Sequence, residues 1–146
     1  MKYFLFLFAF AKCAPAHPDF VSKHGVEFFL GGADWTKEAV DELEDGWLID
    51  LEAASDGKFP NAGEKMKGVQ VFLQKEDLDC PWTGGSGKCL GLQYGNQLQV
   101  VALNYCPATS AYVHEMLHWF EETYYGINSN EHAAPYWRTV HLRTCE

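Results

Sequence analysis

The amino-acid sequence predicts an α+β fold within one domain. Two segments show the apolar spacing of amphipathic helices, and the stretch between them alternates apolar and polar residues as strands do. A helix, a group of strands and a second helix in that order are typical of an α+β domain. At 146 residues and 47% hydrophobic residues, the chain is long and apolar enough to bury one sizeable core.

Residues 1–16 have the layout of a secretory signal peptide. Lys2 precedes an apolar run over residues 3–11, and the small-residue triplet Ala-Pro-Ala occupies positions 14–16. We expect cleavage after position 16, which leaves a secreted mature domain of residues 17–146. The apolar run is shorter than the roughly 20 residues that cross a bilayer, so we expect no stable membrane insertion after cleavage.

Two other interpretations of this N-terminal segment stay open. The apolar run is also compatible with a buried strand or helix of the folded domain. Alternatively, export is followed by attachment of a lipid to Cys13. Lys12, directly before that cysteine, fits a lipoprotein cleavage site poorly.

The first predicted helix covers residues 34–54. Apolar side chains recur there at steps of three or four, namely at Val40, Leu43, Trp47, Leu51 and Ala54. That spacing places them on one face of a helix. Asp34 or Thr36 is a suitable N-cap, and Gly57 lies just beyond the expected end.

The segment between the two helices predicts the sheet. In residues 68–74, Val69, Val71 and Leu73 alternate with polar or aromatic neighbours, as in a half-buried strand. Residues 89–94 and 97–104 flank a Gly-Asn dipeptide and predict a β-hairpin. The stretch that precedes these strands, residues 57–68, is interpreted as a loop.

The cysteines predict a disulfide-stabilised domain. Loss of Cys13 with the leader leaves an even number of cysteines in an exported chain, which indicates two disulfides. The pairing that we favour joins Cys80 with Cys89 across a glycine-rich loop, and Cys106 with Cys145 at the chain end. The other two connectivities stay open. A cysteine-rich metal site is disfavoured because the sequence contains no C-x-x-C pair.

The charge balance disfavours one class of partner. The formal net charge is −9 at pH 7, and no cluster of lysine or arginine interrupts it. Such a chain is repelled by phosphate backbones and by anionic membrane surfaces. We therefore expect no nucleic-acid partner.

The second predicted helix covers about residues 109–125 and contains the motif HEMLH. With about 100° between successive residues, His114 and His118 fall on one face of this helix. The apolar stripe occupies the opposite face and consists of Val113, Met116, Leu117, Phe120 and Tyr124. The two histidines therefore do not belong to the stripe that packs into the core. The alternative to a functional role is a polar face that is simply solvated.

The spacing of HEMLH suits a zinc site. Two imidazoles one turn apart direct one ring nitrogen each at a single Zn²⁺, with ligand distances of about 2.0–2.1 Å. Glu115 follows the first histidine and reaches a zinc-activated water without ligating the metal, which makes it the candidate general base. We therefore predict His114 and His118 as metal ligands and Glu115 as the catalytic residue.

A hydrolytic zinc site needs a third protein ligand. Glu122 lies about 12 Å further along the helix axis than His114, so it does not converge with both histidines on one ion. Gly126 is suited to end the helix in a left-handed conformation, after which the chain meets Glu131 and His132. We favour His132 and keep Glu131 as its rival. The other histidines are interpreted as structural or exposed: His17, His24 and His141.

HEMLH, followed by Gly126 and then by Glu131 and His132, resembles the zincin superfamily of zinc metallopeptidases. The resemblance implies a small α+β domain with one Zn²⁺ per chain. It also implies a mixed or antiparallel sheet with two helices, a backing helix and the HExxH helix. The backing helix is here the one that carries Trp47.

The same resemblance implies that an extended peptide or protein substrate binds along one strand, here residues 68–74 or 97–104. Two subfamily signatures are missing. Glu121 occupies the position of glycine in the pattern H-E-x-x-H-x-x-G-x-x-H, and no clear N-E-x-x-x-D sequence is present. The subfamily, and with it the substrate preference, stays open.

Together these features predict a secreted zinc-dependent metallopeptidase that hydrolyses peptide bonds. Within the enzyme class the alternative is cleavage of peptidoglycan peptides, which the acidic chain disfavours. Outside that class the alternative is a non-catalytic, disulfide-stabilised binding module. Glu115 favours the enzyme because a structural zinc site has no use for it. Tyr136 and His141 are candidates for oxyanion stabilisation, although residues 135–137 are interpreted as packing.

Overall fold

The structure, a computed structural model, describes residues 17–80, 87–102, 110–127 and 132–140. The secondary structure in chain order is β1 (Phe20–Val21), β2 (Glu27–Phe29), α1 (Lys37–Ser55), α2 (Ala62–Lys65), β3 (Gln70–Gln74), β4 (Leu78–Asp79), β5 (Lys88–Cys89), β6 (Gly91–Tyr94), β7 (Gln97–Val101), α3 (Ser110–Tyr125) and α4 (Pro135–Val140). The expected leader, residues 1–16, lies outside the described residues and stays a prediction.

One mixed sheet of five strands organises the domain. Its order is β1-β2-β3-β7-β6, with β2, β3 and β7 parallel and with β1 and β6 antiparallel to their neighbours. β4 and β5 form a separate two-stranded sheet. The predicted α+β class is therefore confirmed. The predicted hairpin is also confirmed, because Tyr94 pairs with Gln97 across a turn in which Gly95 has a φ of 53°.

Helix α1 forms where its apolar spacing predicts. The Thr36 side chain caps the helix by accepting a hydrogen bond from the Ala39 backbone N–H at 3.3 Å. Four of the five predicted apolar residues are buried, and Ala54 packs against them. The helix ends at Asp56, which has a left-handed φ of 53°. The predicted stop, Gly57, follows with a φ of 74°.

The sheet and three helices, α1, α3 and α4, share one core. The predicted alternation in β3 is confirmed, because Val69, Val71 and Leu73 are all buried. The five largest fully buried side chains among the described residues are aromatic: Trp47, Trp137, Tyr112, Phe28 and Phe120. α3 contacts both β6 and β7, and α1 contacts α4. These contacts place α3 beside the edge of the sheet that β6 forms.

Several short elements are missing from the sequence prediction. β1 and β2 have 2 and 3 residues, and α2 and α4 have 4 and 6. Apolar periodicity needs a longer window than these segments provide. The stretch 57–68, interpreted as a loop, thus contains one short helix.

The disulfide predicted between Cys80 and Cys89 is present and joins the region of β4 to β5. This bond is consistent with an extracytoplasmic location. Cys106 and Cys145, the second predicted pair, lie outside the described residues. No helix in the described part of the chain is long and apolar enough to cross a membrane.

Candidate metal centre

Helix α3 presents its two histidines one turn apart, and the chain then returns to them. The helix ends where Gly126, with a φ of 65°, donates its N–H to the Glu122 carbonyl at 2.8 Å. This is the predicted left-handed end of the helix. It allows the chain to turn back, so that His132 lies against His114 and His118.

The three histidines converge on one point. The Nε2 atom of His118 lies 3.2 Å from Nε2 of His114 and 3.2 Å from Nε2 of His132. All three candidate ligand atoms lie within 4.8 Å of one another. Nitrogen ligands at about 2.0–2.1 Å from a tetrahedral ion are about 3.3 Å apart, so these separations fit a shared metal ion. The described residues thus contain a three-histidine group able to hold a metal.

The backbone of His132 is bent to bring its ring into this group. His132 has a φ of 47°, in the left-handed region that costs a residue with a Cβ atom roughly 1 kcal/mol. Such strain persists only where surrounding contacts hold it, and it is often found at functional sites. Glu131, the rival third ligand, lies outside the described residues.

Trp137 on α4 covers the histidine group. Its ring centroid lies 5.0 Å from that of His114, 4.7 Å from that of His118 and 4.3 Å from that of His132. The side chains of Glu115, His118 and Glu121 are only 8%, 7% and 7% exposed. The polar face of α3 is therefore enclosed at these three residues. His114 on the same face is half-buried, and Glu122 is exposed.

The enclosure sets the charge state of His118. Burial, together with the neighbouring His132, lowers the pKa of His118, and the charge of Glu121 acts in the opposite direction. A lowered pKa favours the neutral imidazole near pH 7. The neutral ring is the form that ligates a metal.

Glu115 is pressed against the edge strand. A Cβ atom placed on Gly91 of β6 would lie 2.5 Å from Cγ and 2.6 Å from Oε1 of Glu115. Side chains do not approach so closely, so the glycine allows β6 to reach the carboxylate. Burial raises the pKa of Glu115 to about 7. The carboxylate is therefore poised to gain or lose a proton near neutral pH.

Two polar contacts hold β6 in this position beside α3. The indole Nε1 of Trp119 donates to Oδ1 of Asn96, in the hairpin turn, at 3.0 Å. The amide of Gln93 donates to the carboxylate of Glu122. Both bonds link the hairpin to α3, which fixes Gly91 relative to Glu115.

The strands expected to bind substrate are not at the edge of the sheet. β3 lies between β2 and β7, and β7 lies between β3 and β6. Their backbone groups already pair on both sides, so an extended peptide cannot add to either strand. Both of those assignments are wrong for the described sheet. β6 is the edge strand that contacts α3.

Of the other candidates, Tyr136 has a structural role. Its side chain is buried, and its hydroxyl donates to Oε1 of Glu121 at 2.6 Å. Burial, and then this hydrogen bond, raise the pKa of Tyr136. The packing interpretation is thus confirmed for Tyr136 and Trp137, and Pro135 is exposed. His24 pairs with Asp45 at 2.8 Å, and His17 is exposed. His141 lies outside the described residues.

Three residues of this site were not singled out from the sequence: Gly91, Glu121 as a buried contact, and Trp137. Each acts through a contact between elements that are distant along the chain. Only Glu121 could have been recognised from the sequence, because it lies one turn after His118 on the same face of the helix.

Comparison with protein-family models, with curated protein sequences and with solved structures gives no match for this chain.

Proposed function

We propose that this chain is a secreted zinc-dependent peptidase whose metal ligands are His114, His118 and His132. The observation that carries the proposal is the convergence of three histidines, two of them on the helix that also carries a buried carboxylate, Glu115. Three protein ligands and an open fourth position are typical of catalytic rather than structural zinc sites.

The donor set favours zinc among the common metals. All three candidate ligand atoms are imidazole nitrogens, with no thiolate and no carboxylate among them. Imidazole suits Zn²⁺ and other late first-row metals, whereas Mg²⁺ and Ca²⁺ prefer oxygen ligands. When bound, Zn²⁺ supplies Lewis-acid polarisation of a carbonyl and lowers the pKa of a coordinated water. We infer one Zn²⁺ per chain.

Glu115 is the proposed general base. It follows a proposed ligand directly, and its pKa of about 7 lies near the pH at which an extracytoplasmic enzyme works. The carboxylate accepts a proton from the attacking water and returns that proton to the leaving amine. Gly91 and the hairpin contacts hold the carboxylate in place during both transfers.

The proposed substrate is a peptide or protein segment in extended form. β6 is the edge strand of the described sheet beside α3, and sheet edges accept extended peptides through backbone hydrogen bonds. Within β6, Gly91 and Leu92 are buried, and Gln93 and Tyr94 are more exposed. In this interpretation β6 takes the role that the zincin resemblance assigned to another strand. α1 takes the role of the backing helix. Its Trp47 packs on α3, with the ring centroids of Trp47 and Phe120 5.8 Å apart.

Metal content and two variants test the proposal on the mature chain, residues 17–146. We expect about one zinc per chain after purification from metal-replete medium, and its loss in His114→Ala. Glu115→Gln is expected to keep the metal and to lose peptide hydrolysis. Zinc-free wild-type protein would overturn the metal site.

Zinc without hydrolysis of any peptide, protein or peptidoglycan substrate would overturn the enzyme and favour a binding module. Hydrolysis confined to purified peptidoglycan would replace the protein substrate by cell-wall peptides. Each result is read from the same preparation.

A further inference from the structure

Glu121 is a buried carboxylate that the proposed chemistry does not use. It lies one turn after His118 on α3, and its side chain is 7% exposed. Carboxylates are rarely so deeply buried unless they are paired or hydrogen-bonded. Its two oxygens have different surroundings: one accepts two hydrogen bonds, and the other has no partner in the described structure.

One oxygen of Glu121 holds the wall of the site. Oε1 accepts hydrogen bonds from the Tyr136 hydroxyl at 2.6 Å and from Nε1 of Trp137 at 2.9 Å. Trp137 in turn lies against all three imidazoles. Glu121 thus fixes the ring that packs on the proposed metal ligands.

The other oxygen of Glu121 is an acceptor without a donor. Oε2 is buried and has no hydrogen-bond partner in the described structure. Nδ1 of His118 is also buried and also has no partner. Residues three apart on a helix are neighbours, with Cβ atoms about 5–6 Å apart. An unused acceptor and an unused ring nitrogen therefore belong to neighbouring side chains on one helix, and the charge of Glu121 acts on the His118 ring.

Metal binding would make these two atoms complementary. When Nε2 of a histidine faces a metal, the ring proton is on Nδ1, which becomes a donor. Histidine ligands almost always donate this second N–H to a carboxylate, a carbonyl or a water. No hydrogen bond joins the two side chains in the described structure, so formation of the bond requires a rotation of one of them.

We propose that Glu121 is a positioning residue of the metal centre: Oε1 holds Trp137 against the three histidines, and Oε2 accepts the Nδ1–H of His118 when the metal is bound. This inference rests on the proposed zinc site. It gives a reason for an acidic residue at the position where the resembling peptidase pattern has glycine.

Zinc affinity tests the proposal, with Zn²⁺ alone titrated against a competing chelator. In Glu121→Gln, the amide oxygen still accepts from Tyr136 and Trp137, but an NH₂ group replaces the acceptor for His118. We expect zinc affinity to fall about 10- to 100-fold, with little change in the melting temperature of the metal-free protein. Glu42→Gln, the same charge change at an exposed residue of α1, is the matched control and is expected to bind zinc like the wild type.

A direct readout comes from the imidazole N–H signals in NMR spectra of the zinc-loaded protein. The His118 Nδ1–H signal is expected downfield and slow to exchange with water in the wild type, and this signature is expected to be lost in Glu121→Gln. The wild-type signal tests the proposal even if the variant fails to fold. Wild-type zinc affinity in Glu121→Gln, or a rapidly exchanging His118 Nδ1–H in the wild type, would overturn the role of Glu121. Absence of zinc from the wild type would instead overturn the metal site itself.

Discussion

Two buried glutamates, Glu44 on α1 and Glu115 on α3, both have a raised pKa but have different surroundings. Burial raises both pKa values to about 7. Glu44 is fully buried, and its Oε1 accepts a hydrogen bond from the Tyr112 hydroxyl at 2.7 Å. Glu115 has desolvation as the one resolved cause of its shift, lies against Gly91, and directly follows the candidate ligand His114 in the chain.

The comparison shows why a shifted pKa does not identify a catalytic group by itself. Structural and catalytic carboxylates are both desolvated, and both shift in the same direction. The difference is what each carboxylate faces. Glu44 faces hydroxyl groups that join α1 to the rest of the core, whereas Glu115 neighbours candidate metal ligands. Only Glu115 is therefore expected to affect turnover.

The largest expected effect is that of Glu115→Gln on peptide hydrolysis. The amide keeps the size of the side chain but cannot accept the proton, and loss of a general base costs about 10²- to 10⁴-fold in rate. Glu44→Gln, the same change at the other buried carboxylate, is the matched control and is expected to keep near-wild-type kcat. Equal losses of kcat in Glu115→Gln and Glu44→Gln would contradict the assignment of Glu115 as catalytic and Glu44 as structural.

The next effect is that of Gly91→Ala. The new methyl group would overlap Cγ, Cδ and Oε1 of Glu115, so this buried side chain has to rotate away from β6. A displacement of about 1 Å at a catalytic group costs on the order of 100-fold in rate. We expect kcat to fall by that order while zinc content and melting temperature stay close to wild type. Unchanged kcat would mean that β6 does not position Glu115.

The third effect concerns stability and belongs to Glu44. Its carboxyl binds a proton more tightly in the folded chain than in the unfolded chain, where the pKa is near 4.5. The free energy of unfolding therefore falls as the pH rises from 4.5 to about 7, and this contribution is level above that range. At about 1.4 kcal/mol per pKa unit, the total loss is on the order of 3 kcal/mol.

Urea unfolding at pH 4.5, 6 and 8 measures the contribution of Glu44. It is the difference in the free energy of unfolding between the wild type and Glu44→Gln at each pH. The amide has no charge to bury, so we expect the variant to gain stability relative to wild type as the pH rises. A difference that does not depend on pH would contradict the raised pKa of Glu44.

The smallest expected effect is that of Tyr112→Phe. The change removes the hydroxyl that donates to Glu44 and leaves a buried acceptor without this partner. The expected cost is about 1–3 kcal/mol in the free energy of unfolding, with kcat unchanged. A large loss of kcat with an unchanged free energy of unfolding would mean that Glu44 takes part in the reaction. The assignment of Glu44 as structural would then be wrong.

The sequence was sufficient for the elements with long, regular patterns. The apolar spacing of α1, the alternation in β3 and the dipeptide in the β6–β7 hairpin each depend on neighbours in the chain. The same holds for the two histidines of HEMLH, because one helical turn brings them together. His132 followed from the helix-ending Gly126, which returns the chain to the motif.

The strand order and the enclosure of the site depend on contacts between distant segments, which no local sequence pattern predicts. The parallel pairing of β3 with β7 makes both strands interior, and it leaves β6 as the edge beside α3. The helical wheel separated the histidines from the apolar stripe but could not show that α4 encloses them. Trp137 and Gly91 reach the site through packing between distant elements, so neither carries a signal within its own segment.

The central claim is that His114, His118 and His132 bind one zinc ion, and anomalous scattering at the zinc edge from crystals of residues 17–146 tests it most directly. We predict one anomalous peak per chain, about 2.0–2.1 Å from each of the three Nε2 atoms. A peak at other residues, or no peak in crystals grown with zinc, would contradict the account.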